Sequence, residues 1–313
     1  MPETGSPDGG MQAPVLIYDR IGANKRQTWL MMLIFIAVVG GFATLIALAL
    51  GLPWQASPFV IAGLAVYALI SYYVSASVAL AVSSAHEVTK EDEPEYYRIV
   101  ENLCIGSGLP MPKVYVIEDG APNAFATGRD PKHAAVTATR GLLDKLDKSE
   151  LEGVIAHEMS HIGNYDIRIM TITVVLVGLV ALLADLFMRW TWFGSGSRKS
   201  NDDRGGQLQL ILFAVAILFA ILAPIAAQMI QLAISRKREY LADASGALLC
   251  RNPDALARAL EKITADPDPL EEANKATAHL YFANPLHDHK SFLNNLFSTH
   301  PPVEERIRLL RAM

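Results

Sequence analysis

The sequence of 313 residues is short of charge, since only 19% of its residues are Asp, Glu, Lys or Arg, against about 25% in an average soluble domain. It also lacks a basic excess: 32 acidic residues outnumber 27 basic ones, and the net charge is −5. Binding a nucleic-acid backbone needs clustered surplus Lys and Arg, so we expect no nucleic-acid partner. A hydrophobic share of 51% argues against a disordered chain and an ordinary soluble enzyme.

Cysteine is scarce as well, with only Cys104 and Cys250 in the chain. Two cysteines allow at most one disulfide, and neither lies at a spacing typical of metal binding. We therefore expect both to be reduced and to act as small buried hydrophobic residues.

Long apolar runs are what the sequence has in abundance. The runs 29–52, 59–82 and 208–234 contain no charged residue, and the run 169–188 contains only Asp185. About 20 such residues cross the roughly 30 Å of a bilayer core as a helix, whereas buried helices of soluble proteins rarely stay uncharged for so long. The sequence predicts four transmembrane helices.

Basic residues near these runs indicate their orientation. Lys25 and Arg26 precede the first run, and Arg236 and Lys237 follow the fourth. Because cytoplasmic flanks carry an excess of Lys and Arg, both ends of the chain are expected in the cytoplasm. The charged loop 189–207 fits this orientation poorly, since it would lie on the outer side.

The runs divide the chain into five predicted segments. They are a disordered tail with a short pre-membrane segment (1–28), transmembrane helices 1 and 2 (29–82), a first soluble part (83–166), transmembrane helices 3 and 4 (167–234) and a second soluble part (235–313). Two membrane crossings separate the soluble parts, so both must emerge on the same side and can form one domain.

The soluble parts read as mixed helix and strand, which gives an α+β fold class. Short β-rich stretches at 113–117, 123–127 and 134–139 predict a small antiparallel sheet. A helix is predicted to begin at Ser149, where Ser149 and Glu152 have the spacing of a capping box.

An H-E-x-x-H sequence lies in that helix, formed by His157, Glu158 and His161. Residues four apart project from one helix face, about 6 Å apart at their bases, which suits two Zn–N bonds of about 2.0–2.1 Å. Glu158 lies beside the metal position, where it can act as a general base on an attacking water. The pattern predicts one Zn²⁺ per chain and hydrolytic chemistry.

A third protein ligand is typical of catalytic zinc, and Glu239 is the candidate because it emerges on the same membrane side. It could instead be a solvated acid paired with Arg236 or Lys237. Asp243, one helical turn later, could accept the second ring N–H of a ligating histidine. Asp166 could do the same, or it could cap the third membrane helix, which the local sequence favours.

The strand at 123–127 is a candidate for binding substrate. An exposed edge strand can pair with an extended peptide through main-chain hydrogen bonds, with Asn123, Ala124, Phe125 and Ala126 as the contacts. An ordinary internal strand is equally compatible with these residues.

The motifs together resemble a known family. HEMSH at 157–161, EYLAD at 239–243, and Thr299-His300-Pro301-Pro302 with Arg306 are similar to the HtpX-type membrane zinc peptidases, relatives of the CaaX-prenyl endopeptidases. The resemblance extends from about Tyr18 to Leu310 and includes the Asn24-Lys25-Arg26 run.

The resemblance implies a cytoplasmic, helical, zincin-type protease domain on a bacterial inner-membrane protein. It implies protein or peptide substrates, above all misfolded or damaged membrane proteins, and a role in stress response and protein quality control. It also implies that His300 donates to the oxyanion of the reaction, with Arg306 a weaker candidate for contacting substrate.

Other functions remain open on the sequence alone. A non-catalytic membrane protein could use the motif for structural zinc, but such a site needs no Glu158 beside its metal. A transporter would normally carry polar groups at mid-membrane depth, and the runs have almost none. Processing of prenylated proteins is conceivable through the CaaX relatives. The partners expected are the lipid bilayer and the substrate; the sequence does not predict an oligomeric state.

Overall fold

A computed structural model of the chain describes residues 17–49, 53–176, 178, 236–268, 270, 280–282 and 301–313. Most of the third and fourth predicted membrane helices, the loop 189–207 and the N-terminal tail lie outside the described residues. Those four-span and segment assignments therefore stay predictions.

Two long helices form an antiparallel pair at the N-terminal end. Helix α1 (Ile17–Ala49) and helix α2 (Ser57–Val82) approach closely near Gly40, where an added Cβ would lie 3.5 Å from the side chain of Leu64. The segment Trp54–Val82 is 29 residues long with a mean hydropathy of 1.8, and only 22% of its most apolar window is buried. Among the described residues it is the one helix long and apolar enough to cross a membrane.

The outer faces of this pair are apolar and open. The exposed side chains include Trp29, Leu30, Leu33, Ile34, Phe59, Ile61, Val66, Tyr67, Leu69, Ile70, Tyr73 and Val74. Soluble monomers rarely expose a continuous apolar surface of this kind, whereas lipid tails would cover it at no cost.

The sheet has four strands in the order β1-β2-β4-β3: β1 (His86–Glu87), β2 (Lys113–Ile117), β3 (Ala124–Gly128) and β4 (Ala134–Thr139). Strands β3 and β4 form an antiparallel hairpin, but β2 pairs with β4 in parallel. The predicted antiparallel sheet is therefore wrong, because the sheet is mixed.

The reason is the position of β4, which lies between β2 and β3. Strand β3 runs antiparallel to β4 in the hairpin, and β4 then runs in the same direction as β2 beside it. The local sequence pattern identified the strands and the turn, but it held no information about the strand with which β2 would pair. The turn before β4 depends on Gly128 at φ +144°, where an added Cβ would lie 2.5 Å from a backbone oxygen.

Helices pack on both faces of this sheet. They are α3 (Pro94–Ser107), α4 (Arg140–Lys145), α5 (Lys148–Gly163), α6 (166–176), α7 (Arg236–Cys250), α8 (Pro253–Ala265) and α9 (Val303–Leu310). Helix α5 lies at the centre, packed against β3, α3, α7 and α8, which makes it the most buried helix of the domain. Both cysteines are free thiols, as predicted, but only Cys104 is buried and Cys250 is half-buried.

The capping box of α5 lies two residues earlier than predicted. The capping box is formed by Asp147 and Glu150, not by Ser149 and Glu152: the Asp147 carboxylate accepts from the Glu150 N–H at 2.9 Å, and Glu150 accepts from the Asp147 N–H at 3.0 Å. Two overlapping boxes exist in this stretch, and the earlier one satisfies the helix end with Ser149 already inside the first turn.

Candidate active site

The central helix α5 brings both histidines of the H-E-x-x-H motif into the interior. His157 and His161 are 0% and 3% exposed, and their Nε2 atoms lie 3.2 Å apart. The rings meet edge to face at 4.8 Å between centroids. Their four-residue spacing therefore directs two nitrogen atoms at one point.

Helix α7 supplies the third group, Glu239. One of its carboxylate oxygens lies 3.7 Å from His157 Nε2 and the other 3.7 Å from His161 Nε2. The approach of α7 to α5 depends on Gly246, where an added Cβ would lie only 2.8 Å from the backbone nitrogen of His157. The three potential ligand atoms lie within 4.8 Å of one another.

The chemistry of this donor set fits a zinc ion. Each histidine turns its Nδ1 toward a carboxylate, so the Nε2 lone pairs of both rings face the Glu239 oxygens across one gap. Tetrahedral bonds of about 2.0–2.1 Å hold two ligand atoms about 3.3 Å apart, close to the spacing of the two nitrogens. Three electron-pair donors facing one another in a buried place call for a cation between them.

The His157 side is held by groups of the soluble domain. Asp243 Oδ1 lies 2.9 Å from His157 Nδ1, and the Arg306 guanidinium donates to both oxygens of Asp243 at 2.8 and 2.7 Å. Burial alone would raise the pKa of Asp243, but the Arg306 charge outweighs it and lowers that pKa to about 2. Burial lowers the pKa of His157 to about 4, which keeps the ring neutral.

The His161 side connects to the first long helix. Asp166 Oδ2 lies 3.1 Å from His161 Nδ1, and its other oxygen accepts from Asn24 Nδ2 at 2.7 Å and lies 3.2 Å from Arg238 Nε. The carboxylate of Asp166 thus lies against the histidine rather than serving only the helix end that the local sequence favoured. Burial alone would lower the pKa of His161, but its hydrogen bond to Asp166 and nearby carboxylates raise it to about 9.

Glu158 lies between α5 and the sheet. It is 2% exposed, and its carboxylate accepts a hydrogen bond from the backbone N–H of Ala126 on β3. Burial raises the pKa of Glu158 to about 7, because removing a carboxylate from water disfavours its charge. A carboxyl group of that pKa can both take and give a proton near neutrality.

Strand β3 is at the edge of the sheet, but that edge is already contacted by the chain itself. The N–H of Phe282 donates to the Ala124 carbonyl at 2.8 Å, and the Gly128 N–H donates to Thr171 Oγ1 at 3.1 Å. All five residues of β3 are buried. An extended substrate could pair there only after the segment 280–282 moved aside.

The four residues predicted to contact substrate are therefore covered. Asn123, Ala124, Phe125 and Ala126 are 4%, 1%, 0% and 2% exposed. The Phe125 ring packs edge to face on Tyr281, 5.1 Å between centroids.

Arg306, the fifth predicted substrate contact, and His300, the predicted oxyanion donor, have different outcomes. Arg306 is 1% exposed and is occupied by Asp243, so the structure gives it a place behind His157 instead of on a substrate-facing surface. Its position follows from charge, since a buried carboxylate needs a counterion. His300 lies outside the described residues, and its role stays a prediction.

Three residues near the site were not found from the sequence pattern. Asn24 and Arg238 contact Asp166, and the Phe282 ring packs edge to face on His157 at 4.9 Å. Asn24 was noted only as part of the run that resembles the family, with no role assigned to it. Arg238 stood out only as a basic residue after a predicted membrane run. Nothing in the local sequence pointed to Phe282, because its neighbours come from distant parts of the chain.

Paired helical histidines with an adjacent glutamate, and a third donor from a separate helix, define the class of zincin-type metallopeptidases. Within that class the chain belongs to peptidase family M48, whose sequence profile matches residues 90–313. It is a metalloendopeptidase, a hydrolase that acts on peptide bonds.

Curated relatives match over nearly the whole chain. A protease HtpX homologue of Tropheryma whipplei (strain TW08/27) is 47% identical over 298 residues, covering 95% of this chain and 99% of the relative. Another from Listeria monocytogenes is 46% identical over 311 residues, covering 95% and 100%. The crystal structure of Ste24p from S. mikatae is similar at 16% identity, with a TM-score of 0.49, covering 93% of this chain and 67% of that one.

Proposed function

We propose that this chain is an integral-membrane zinc endopeptidase that cleaves misfolded or damaged membrane proteins at the cytoplasmic face of a bacterial inner membrane. The observation that carries the proposal is the meeting of His157, His161 and Glu239, whose Nε2 and carboxylate oxygen atoms lie 3.2–3.7 Å apart with Glu158 beside them. These residues would hold the zinc, which when bound polarises a substrate carbonyl and lowers the pKa of a water.

Glu158 has the proton-transfer role in this proposal. It takes the proton of the attacking water and passes it to the departing amine, which its pKa of about 7 allows. Asp243 and Asp166 hold the two histidines in the tautomer that leaves each Nε2 free. The Ala126 N–H keeps the Glu158 carboxylate oriented beside them.

The membrane part of the proposal is supported by chain topology. His157 and His161 precede the predicted span 169–188, and Glu239 follows the predicted span 208–234. An even number of crossings between them is the simplest way for all three to meet on one side. The open apolar surface of α1 and α2 supports insertion of these helices in a bilayer. Nothing in the described residues favours a structural zinc site or prenyl-protein processing.

The test is proteolysis of an unfolded casein-like substrate by the full chain purified in detergent, with and without a zinc chelator. We expect Glu158→Gln to retain zinc and lose at least about a thousandfold in rate, as loss of a catalytic base does. We expect Glu239→Ala to release the metal. Glu152→Gln is the matched control, because it removes the same charge from a partly exposed position of the same helix.

Near-normal proteolysis by Glu158→Gln would remove that residue from catalysis. Full zinc occupancy of Glu239→Ala, measured by atomic absorption, would reject Glu239 as a ligand. Chelator-insensitive cleavage by the unmodified chain would overturn the zinc mechanism altogether.

A further inference from the structure

A cavity whose lining contains none of the proposed zinc ligands lies where α1, α2, the β3–β4 turn and the start of α6 meet. It has a volume of about 660 Å³, and we name it the basic cleft. The lining residues that matter for its chemistry are Lys25, Tyr72, Asp130, Lys132, Tyr165 and Arg168.

The cleft carries an excess of positive charge. Within the described part of the chain, none of its three cations, Lys25, Lys132 and Arg168, forms an ion pair with a carboxylate. The one acid of the lining, Asp130, is engaged in its own turn: it accepts from the backbone N–H of Lys132 at 2.9 Å and lies 2.8 Å from His133 Nδ1. In the part of the chain that the structure describes, three cations therefore line one cavity whose single acid is engaged by other groups.

Aromatic rings, not carboxylates, hold two of these cations. Lys25 Nζ lies 4.3 Å from the ring centroid of Tyr165, and the Arg168 guanidinium lies 5.0 Å from that of Tyr72 and donates to its hydroxyl. Arg168 Nε is buried and makes no hydrogen bond among the described residues. A ring face fixes the position of a cation while leaving its charge and remaining N–H donors available to an anion.

The cleft also lies at the level where headgroups are expected. Trp29 stacks on Tyr72 at 5.9 Å, and Tyr73 meets Tyr72 edge to face at 5.3 Å. Trp and Tyr are typical of the membrane–water boundary, and the exposed apolar face of α1 begins at Trp29, directly after the polar run that includes Lys25. The cations thus lie at the cytoplasmic edge of the proposed bilayer.

We propose that the basic cleft binds the phosphate group of an anionic phospholipid of the cytoplasmic leaflet. The phosphate oxygens would face Lys25, Lys132 and the guanidinium of Arg168, and the acyl chains would lie along the open faces of α1 and α2. This proposal rests on the membrane insertion proposed above. A free phosphate shares the headgroup chemistry but lacks the chains that the apolar faces would hold.

The experiment uses the full chain purified in detergent and counts bound lipid by native mass spectrometry, with phosphatidylglycerol and phosphatidylcholine as probes. We expect the unmodified chain to retain phosphatidylglycerol in preference to phosphatidylcholine. In Lys25→Gln/Lys132→Gln we expect binding about 25-fold weaker, because each lysine near anionic lipid contributes about a factor of five. Lys90→Gln/Lys148→Gln is the matched control, since it removes two charges from outside the cleft.

Equal retention of phosphatidylglycerol by the two double variants would overturn the proposal. Displacement of the lipid by millimolar inorganic phosphate, with phosphate itself retained, would overturn the lipid as the ligand. Flotation of the chain with vesicles and its zinc content are measured in parallel. Flotation with zinc but no preference for phosphatidylglycerol refutes only the cleft, whereas failure to float refutes the membrane location and the cleft together.

Discussion

The two histidines of the site have the same geometry toward the proposed metal and opposite surroundings. His157 is oriented by Asp243, whose charge is balanced by Arg306 within the soluble domain. His161 is oriented by Asp166, which is held by Asn24 of the long helix α1. The pKa of the first ring is lowered to about 4 by burial, and that of the second is raised to about 9.

The buried site is thus connected to two parts of the protein through its two histidines. One ligand depends on a counterion pair that the soluble domain supplies by itself. The other depends on a carboxylate whose hydrogen bonds come from a helix of the proposed membrane region. Substitutions on the His157 side and on the His161 side should therefore change stability and zinc affinity in different ways.

The largest effect is expected from Arg306→Met, which leaves Asp243 buried without its counterion. Removing one partner of a buried pair costs about 3–5 kcal/mol, so the midpoint of thermal unfolding in detergent should fall by many degrees. Arg308→Met is the control on the same helix: its partner Glu305 is at the surface, and little change is expected. Equal stability of the two variants would show that Asp243 does not need Arg306.

Gly246→Ala tests the helix contact behind His157. The new Cβ would lie 2.8 and 3.0 Å from backbone atoms of His157, which cannot move aside as a flexible side chain could. We expect overpacking to cost about 1–3 kcal/mol and zinc occupancy to fall as Glu239 is displaced. Gly163→Ala should be tolerated, because its nearest neighbour is a leucine side chain at 3.6 Å. Full zinc occupancy in Gly246→Ala would contradict the argument.

The pH dependence of zinc affinity above pH 7.5 should report mainly the proton of His161, because Glu158, with a pKa of about 7, is largely ionised there. Below its pKa of about 9 this ring carries a proton that a metal must displace, whereas His157, with a pKa of about 4, is already neutral. Apparent affinity should therefore rise nearly tenfold per unit between about pH 7.5 and 8.5. Competition with a chelating dye at each pH measures the apparent zinc affinity.

Asparagine substitutions at Asp166 and at Asp243 distinguish the contributions of the two histidines to the pH dependence. Asp166→Asn removes the strongest group raising the pKa of His161, so the slope should flatten in that range. Asp243→Asn should weaken binding but keep the slope, since His157 has no proton to lose. If the slope of zinc affinity against pH is the same in both variants, the displaced proton does not belong to His161.

The smallest effect is expected from Asn24→Ala. One hydrogen bond to Asp166 is lost, but Arg238 remains, so zinc affinity should fall about fivefold, the equivalent of one ordinary hydrogen bond. Gln27→Ala is the control on the same helix, because Gln27 contacts Arg238 and not Asp166. Unchanged zinc affinity in Asn24→Ala would show that the hydrogen bond from α1 to Asp166 does not support the metal site.

Three strands of the sheet were predictable because they depend on local sequence patterns. The strands 113–117 and 134–139 were predicted with the bounds they have, and the third was one residue off. The pairing of β2 with β4 was not predictable, because register and neighbour choice depend on burial across the whole sheet. The cap at Asp147 was missed because two equivalent boxes overlap in the sequence.

The sequence alone was enough to predict that His157, Glu158 and His161 share one helix face and to name Glu239 as the candidate third ligand. Spacing along a helix is a local property of the chain, so it can be read without a structure. Only the tertiary structure decided that Asp166 contacts His161, that Arg306 lies behind His157, and that residues 280–282 cover the sheet edge. These contacts join segments far apart in the chain, and the burial that selects them exists only once the chain has folded.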